Sequence, residues 1–341
     1  MHRNSILQIS FIFAVTLASA LIATPQDSQT IGNKVIAGSS AIPSRVQTCE
    51  LARQRTIFLN LQDKDAQFID GLKASDLAIT EDKAPLNIIQ LQPVTNVLLS
   101  AVILIDNSGT QSFTFSQAKL AAQKFVEWNL RNKGDRAALV SFAVDATIEE
   151  DLTSDWSKLQ SSINQLKLAT QVYPPGSVIG GSTPPIRPVR QGSTAISDAV
   201  WASTDGILKS VTNSRRMIVV LTNGEDWTST TKLGDAIAYA GANAVAVFAI
   251  DTHLEGYTIL GRTPLTALAE DTGGRSFGLR KVQDLPEVLQ KLDRQVRSHY
   301  ALTYCTADPA ARKSPAKIEI EIKNSQLRDA AKRLAYPRLA L

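Results

Sequence analysis

The sequence predicts a doubly wound α/β fold, a mostly parallel sheet covered by helices on both faces, with a small β domain built from N- and C-terminal flanking strands. Three observations carry that expectation. Strand-like and helix-like segments alternate from Val97 to Arg297, the pattern of a parallel sheet threaded through crossover helices. Several of those strands are unbroken apolar runs, as strands buried on both faces must be. On either side of this region the pattern changes to alternation with period two, which marks half-buried antiparallel strands.

The elements follow in order. Residues 1–20 have the three parts of an export signal: basic His2 and Arg3, an apolar run from Ile6 to Leu17, and small Ala18-Ser19-Ala20 before a cut. An uncleaved anchor is the alternative, but Gln8, Ser10 and Thr16 weaken the run, and its length is marginal for a span. No later segment is long and apolar enough to cross a membrane, so none is expected once the signal is removed. Residues 21–47 are polar and lack periodicity, as expected of a flexible lead-in. Residues 48–95 hold three alternating segments, RTIFLNLQ, DLAITEDK and LNIIQLQ, separated by turn-forming residues. They are too few for a stable sandwich alone.

Residues 97–297 form the α/β unit. VLLSAVILID is a buried strand, SQAKLAAQKFVEWNL a helix, RAALVSFAVD a second strand, and DWSKLQSSINQLK a helix capped at Ser154. After a stretch too dense in Pro and Gly for regular structure, QVYPPGSVIGGSTPPIRPVR, come helix AISDAVWASTDGILKSV, strand RRMIVVLTNG, helix KLGDAIAYAGANA and strand AVAVFAID. LTALAEDTGG is a helix closed by glycine, and RSFGLR and amphipathic LPEVLQKLDRQVRS finish the unit. Residues 298–341 return to period two in HYALTYC and AKIEIEIK and end in a tail. These strands and those of residues 48–95 are expected to make one β domain around the α/β insert.

With 44% hydrophobic and 20% charged residues in 341, the chain can bury the core of one large domain and a smaller one. The net charge of +4 is mild and its basic residues are scattered, so no nucleic-acid partner is expected. Cys49 and Cys305 are the two cysteines. In an exported protein they can oxidise to a disulfide tying the ends of the fold together, or stay as two buried thiols.

The residues with chemistry sit where strands end. Asp106-Asn107-Ser108-Gly109-Thr110 follows a buried strand and precedes a helix, at the carboxyl edge of the sheet where open α/β folds bind ligands. Asp106 offers a carboxylate, and Ser108 and Thr110 offer hydroxyls on alternate residues, all hard oxygen donors. Taken alone, the same residues also suit a helix-capping turn. Gly192-Ser193-Thr194-Ala195-Ile196-Ser197-Asp198-Ala199 opens another helix with hydroxyls, and Leu221-Thr222-Asn223-Gly224-Glu225-Asp226 ends another apolar strand.

These three loops resemble those of the von Willebrand factor A family, whose metal-ion-dependent adhesion site uses an Asp-x-Ser-x-Ser loop, a Thr from a second loop and an Asp from a third. The resemblance covers Val97 to Arg297 and implies metal-ligating roles for Asp106, Ser108, Thr110 and Thr194, with Asn223 in the place of the third-loop carboxylate. Thr110 keeps the hydroxyl of the family's second Ser. Asn223 removes a charge, which weakens retention of a cation while making a retained one more electrophilic. Glu225 and Asp226 either compensate or form a solvated acidic loop. The implied cofactor is a divalent cation, Mg²⁺ first and Mn²⁺ or Ca²⁺ next, held weakly or not at all. The implied partner is a protein presenting an Asp or Glu carboxylate, with Trp227 and Asp226 as candidate contacts. The whole arrangement, with the flanking strands, is similar to von Willebrand factor A-related proteins of Acidobacteria and other bacteria.

The expectation is therefore an exported, periplasmic or secreted, binding protein and not an enzyme. A metal-independent assembly scaffold with a degenerate site is the second reading. A phosphatase of the haloacid dehalogenase type is the third, since ILIDNSGT resembles that family's strand and nucleophile loop; Ser108 stands where its general acid should be. Serine hydrolase chemistry lacks Gly-x-Ser-x-Gly, and His253 and His299 read as a loop residue near the top of the sheet and a strand residue. A dinucleotide site lacks its glycine fingerprint after the first α/β strand. Asp135-Arg136 and Glu149-Glu150-Asp151 read as solvated turns or modest ion pairs.

Overall fold

A computed structural model of the chain describes residues 49–169, 194–253, 262–306 and 315–340. The export signal, the lead-in, the Pro- and Gly-rich stretch 171–190 and Gly192-Ser193 lie outside them.

The apolar runs become the middle of a six-stranded sheet. Its strands are β5 (Leu99–Asp106), β6 (Arg136–Phe142), β7 (Ala146–Thr153), β8 (Arg215–Thr222), β9 (Val245–Asp251) and β10 (Ser276–Gly278), following the four N-terminal strands β1 (Gln54–Gln62), β2 (Leu77–Glu81), β3 (Ala84–Pro85) and β4 (Ile88–Thr95). The spatial order is β10-β9-β8-β5-β6-β7, parallel except for β7. Every side chain of β5 is buried, because both faces are covered. On one face α1 (Phe115–Asn129), α2 (Trp156–Gln165) and, late in the chain, α6 (Leu285–Arg297) bring Phe125, Leu159 and Leu292 onto Ile103 and Val219. On the other, α3 (Ile196–Ser203), α4 (Leu233–Ala242) and α5 (Pro264–Asp271) bring Val200, Ala240 and Leu268 onto Val102, Val220 and Val247.

Five expectations need correction, the last of them at Asp135 below. The strand predicted to run through Asp145 ends at Phe142, and a turn closed by Ala143 N–H to the Asp145 carbonyl leads into antiparallel β7. Glu149-Glu150-Asp151 lie in that strand and not in a turn; an edge strand with charged, exposed side chains has no apolar periodicity to betray it. The cap of α2 is Asp155, not Ser154: its carboxylate accepts from the N–H groups of Ser157 and Lys158 at 3.1 and 3.2 Å. Thr204 donates its hydroxyl to the Val200 carbonyl at 2.8 Å, and α3 gives way to a π-helical turn, Thr204–Leu208, instead of running on regularly.

The flanks pair with each other. Strands β11 (Ser298–Cys305), β12 (Ala316–Ile322), β13 (Arg333–Ala335) and β14 (Leu339–Ala340), with α7 (Ser325–Ala330) between β12 and β13, complete two antiparallel sheets, β13-β1-β11-β4 and β14-β12-β2-β3. Alternate residues Leu59, Leu61, Ile79, Tyr300, Leu302, Ile318 and Ile320 meet between them in a separate core. The Tyr300 hydroxyl donates to the Ile69 carbonyl and accepts from Leu72 N–H, so this buried ring keeps its polar end satisfied. Cys49 and Cys305 are joined in a disulfide, with Cα atoms 5.8 Å apart.

No linker separates α6 from β11: Arg297 ends the helix and Ser298 opens the strand, paired with Thr95 of β4. The chain thus enters and leaves the α/β unit at adjacent points. Arg297, 5% exposed, bonds Asp135 at 2.7 Å, the Val97 carbonyl at 2.8 Å and the Asn129 carbonyl. Asp135 also accepts from Leu99 and Asn132 N–H, both at 2.9 Å. Far from being a solvated turn residue, Asp135 is fully buried and pins this crossing.

Candidate functional site

Parallel pairing in register places the ends of β5 and β8 side by side, Ile105 opposite Leu221, so the residues that follow share one edge of the sheet. Asp106 ends β5 with 0% exposure. Its carboxylate accepts from Ser108 N–H at 2.9 Å, from the Thr222 hydroxyl at 2.7 Å and from the Gln111 side-chain amide at 3.1 Å. Burial pushes the Asp106 carboxyl above its ordinary value, and those three donors oppose the shift.

The hydroxyls gather beside it. Ser108 and Thr110 share a hydrogen bond of 2.8 Å, and the Thr194 hydroxyl donates to Ser108 at 3.4 Å. Backbone bonds hold the loops that carry them. Asn107 N–H donates to the Phe142 carbonyl and its own carbonyl accepts from Ala169. The Thr194 carbonyl accepts from both Trp227 and Thr228 N–H at 2.9 and 3.1 Å, tying the second loop to the third. Asp198, in the first turn of α3, receives Thr230 and Thr231 N–H at 2.8 and 2.7 Å and anchors the far end of the third loop. Gly224 turns that loop with φ of +80°, and its N–H donates to the Thr222 hydroxyl at 3.1 Å. A Cβ there would be strained and would crowd Leu265.

Of the sequence-predicted ligands, Asp106, Ser108, Thr110 and Thr194 are thus brought together. Asn223 is not joined to them by a hydrogen bond: its side-chain oxygen accepts from Glu225 N–H at 3.5 Å, and it lines a neighbouring cleft with Asp251 and His253. Asp226 turns to Ser197 instead, accepting its N–H at 3.1 Å and its hydroxyl at 2.8 Å. Glu225 receives the Trp227 indole N–H at 3.1 Å, and the Trp227 side chain stands 54% exposed at the rim. His253 is held by Asp251, which also pairs with Arg280 at 2.9 Å.

Two residues that sequence reasoning left out belong to the site. Thr222 precedes Asn223 and makes the shortest bond to Asp106; a hydroxyl ending the strand beside β5 was the available signal. Gln111 is fully buried and joins Asp106 to Thr114 and Thr252, whose hydroxyls donate to its side-chain oxygen at 2.8 and 3.2 Å. Among the described residues no three His, Cys, Asp or Glu side chains cluster as a metal site. A cation here would be held by one carboxylate and three hydroxyls, an all-oxygen set that fits a hard divalent ion.

Residues 101–225 match the family model described as von Willebrand factor type A domain. Solved structures are similar to the chain at low identity. The conserved hypothetical protein BatB from Bacteroides thetaiotaomicron is 18% identical over 58% of this chain and 98% of its own, with a TM-score of 0.43. A von Willebrand factor type A protein from Catenulispora acidiphila is 12% identical over 85% and 75%, with a TM-score of 0.45. Proximal thread matrix protein 1 from the mussel byssus, with a zinc-occupied MIDAS motif, is 14% identical over 62% and 49%, with a TM-score of 0.47. The curated proteins contain no match to the chain.

Proposed function

The chain carries a von Willebrand factor type A domain, matched across residues 101–225, and from that premise we propose that it is an exported binding protein whose α/β unit, residues 97–297, engages a protein partner through a divalent cation. The observation that carries this reading is the meeting of the Ser108, Thr110 and Thr194 hydroxyls beside the buried Asp106 carboxylate. Asp106, Ser108, Thr110 and Thr194 would hold the ion, Mg²⁺ in first place, with Asn223 contributing through its amide oxygen or not at all. The bound ion would supply an open coordination position for an Asp or Glu of the partner. Thr222 and Gln111 fix the orientation of the Asp106 carboxylate by donating to it. Trp227 offers an exposed aromatic rim contact. Binding, not catalysis, is the role we read for this site, because the Asp106 carboxylate is engaged by three protein donors. Export to the periplasm or outside the cell is supported by the disulfide, which persists in oxidising compartments, and by the signal-like residues 1–20. Among the described residues no helix is long and apolar enough to cross a membrane.

One observation favours the metal-independent scaffold as second reading: Asp106 already has three protein donors, and Asn223 bonds within its own loop. Titration calorimetry of Mg²⁺, Mn²⁺ and Ca²⁺ separates the two. Saturable binding lost in Asp106→Ala and strengthened in Asn223→Asp supports the cation-dependent site. Heat absent in the native chain but present in Asn223→Asp leaves a degenerate site on a scaffold.

A further inference from the structure

At the opposite edge of the sheet, by the amino ends of β5 and β8, a cavity of about 540 Å³ opens between the β sandwich and the α/β unit. Its apolar walls include Phe58, Val94, Leu98 and Val211, and its polar lining includes Arg215 and His299. Lys209 and Arg216 stand at the same cavity, and among the described residues no acidic side chain lines it.

Arg215 is the anomaly. Its side chain is 7% exposed, and its guanidinium carbon lies 4.6 Å from the centre of the Phe58 ring, which in turn meets His299 edge-on at 4.7 Å. The Arg215 backbone N–H donates to the Leu98 carbonyl, but among the described residues no carboxylate, carbonyl or hydroxyl accepts from the guanidinium. Burial, with the repulsion of Arg216, lowers it to about 10, so it stays cationic at neutral pH. The same fold pairs its other buried guanidinium among the described residues: Arg297 has the Asp135 carboxylate and two carbonyls. Arg215 lines the cavity, where a ligand group that accepts from its nitrogens completes the charge.

We propose that this cavity binds a small organic carboxylate with an apolar body, its carboxylate forked on the Arg215 guanidinium and its body against Phe58, Val94, Leu98 and Val211. A planar guanidinium matches a carboxylate through two parallel N–H donors. The neighbouring cations are already engaged. The Lys209 ammonium bonds Asp205 and the Tyr239 hydroxyl, both at 3.1 Å, and Arg216 donates to the Lys209 carbonyl at 3.2 Å. One free guanidinium and apolar walls suit a monoanion with a hydrocarbon part better than hydrated phosphate. The site is independent of the cation reading, because seven residue steps of β8 put the two edges ~23 Å apart.

The test is calorimetric titration of the full chain in EDTA with sodium hexanoate, hexylammonium chloride and inorganic phosphate. Hexanoate should bind saturably and hexylammonium should not. Arg215→Met should weaken hexanoate at least tenfold, and so should Val94→Trp, which fills the cavity and keeps the arginine. Without ligand, Arg215→Met should melt no lower than the native chain. The assignment is overturned if hexanoate fails to saturate by about 10 mM, where even a weak site fills, or if phosphate binds more tightly. Equal binding by either variant overturns it too, as does a lower melting point for Arg215→Met, which would make the arginine a structural residue. Should Arg215→Met not fold, Val94→Trp and the hexanoate–hexylammonium contrast still decide.

Discussion

At the carboxyl edge of the central sheet one buried carboxylate, Asp106, is surrounded by neutral donors, whereas at the amino edge two buried guanidiniums meet opposite treatments. Arg297 has a buried acid and two carbonyls; Arg215 has a ring face and a cavity. The difference teaches what each charge is for. A charge completed by an opposite charge is a latch, since removing either partner strands the other. A charge held by neutral donors, or by none, keeps capacity for a ligand.

The sharpest way to break this comparison is at the latch. Arg297→Met leaves the fully buried Asp135 carboxylate unpaired and should cost about 3–5 kcal/mol in urea denaturation. Arg215→Met, at the same edge, should cost nothing. Equal losses would erase the distinction.

The next effect is pH dependence at the amino edge. Burial and the Arg215 charge hold His299 down to about 3. The unfolded chain protonates the same ring near its ordinary value of about 6.5. The folded state tolerates only neutral imidazole, so this contribution is complete above about pH 6.5 and is lost as pH falls towards 3. Between pH 6.5 and 4.5 the loss should reach roughly 2–3 kcal/mol. Urea midpoints of the native chain and His299→Gln across that range measure it, and an equal acid slope in both would remove His299 as the cause.

Smaller still is the support for the carboxylate. Thr222→Val removes the 2.7 Å donation to Asp106 and should cost about 1–2 kcal/mol in thermal or urea unfolding. Because the same donation orients Asp106, cation binding should weaken with it. Least of all, Trp227→Ala should leave stability unchanged to within about 0.5 kcal/mol, since the ring is 54% exposed. On the proposed reading, its effect is expected in partner binding.

Much of this was legible from the chain. Apolar runs such as VILID and MIVVL announce strands buried on both faces, and a parallel sheet then brings their ends together. That reasoning reaches the loop of Asp106, Ser108 and Thr110 at the end of its strand, whereas the roles of these residues, of Thr194 and of Asn223 rest on the family resemblance, and Asn223 is not hydrogen-bonded to the others. It misses β7 because an exposed edge strand such as ATIEEDLT has no buried face to impose a period. It misses Gln111 and Thr222 because a buried amide or hydroxyl is indistinguishable in sequence from a solvated one. It reads Asp135 as a turn residue because the partner that buries it, Arg297, lies 162 positions away. Arg215 escapes for the same reason: its isolation is a property of what surrounds it, and one sequence contains no record of surroundings.

The pairing of Thr95 with Ser298 also governs how the molecule is assembled. During synthesis β1 to β4 leave the ribosome with apolar faces that wait for β11 and β12, some two hundred residues later in the chain. Closing so long a loop on an unfolded intervening segment carries a large entropic cost. Once the α/β unit has folded, its two ends stand together and β11 continues without a break from α6. Loop-closure entropy therefore favours folding of the inserted unit before the flanking strands pair and before Cys49 meets Cys305.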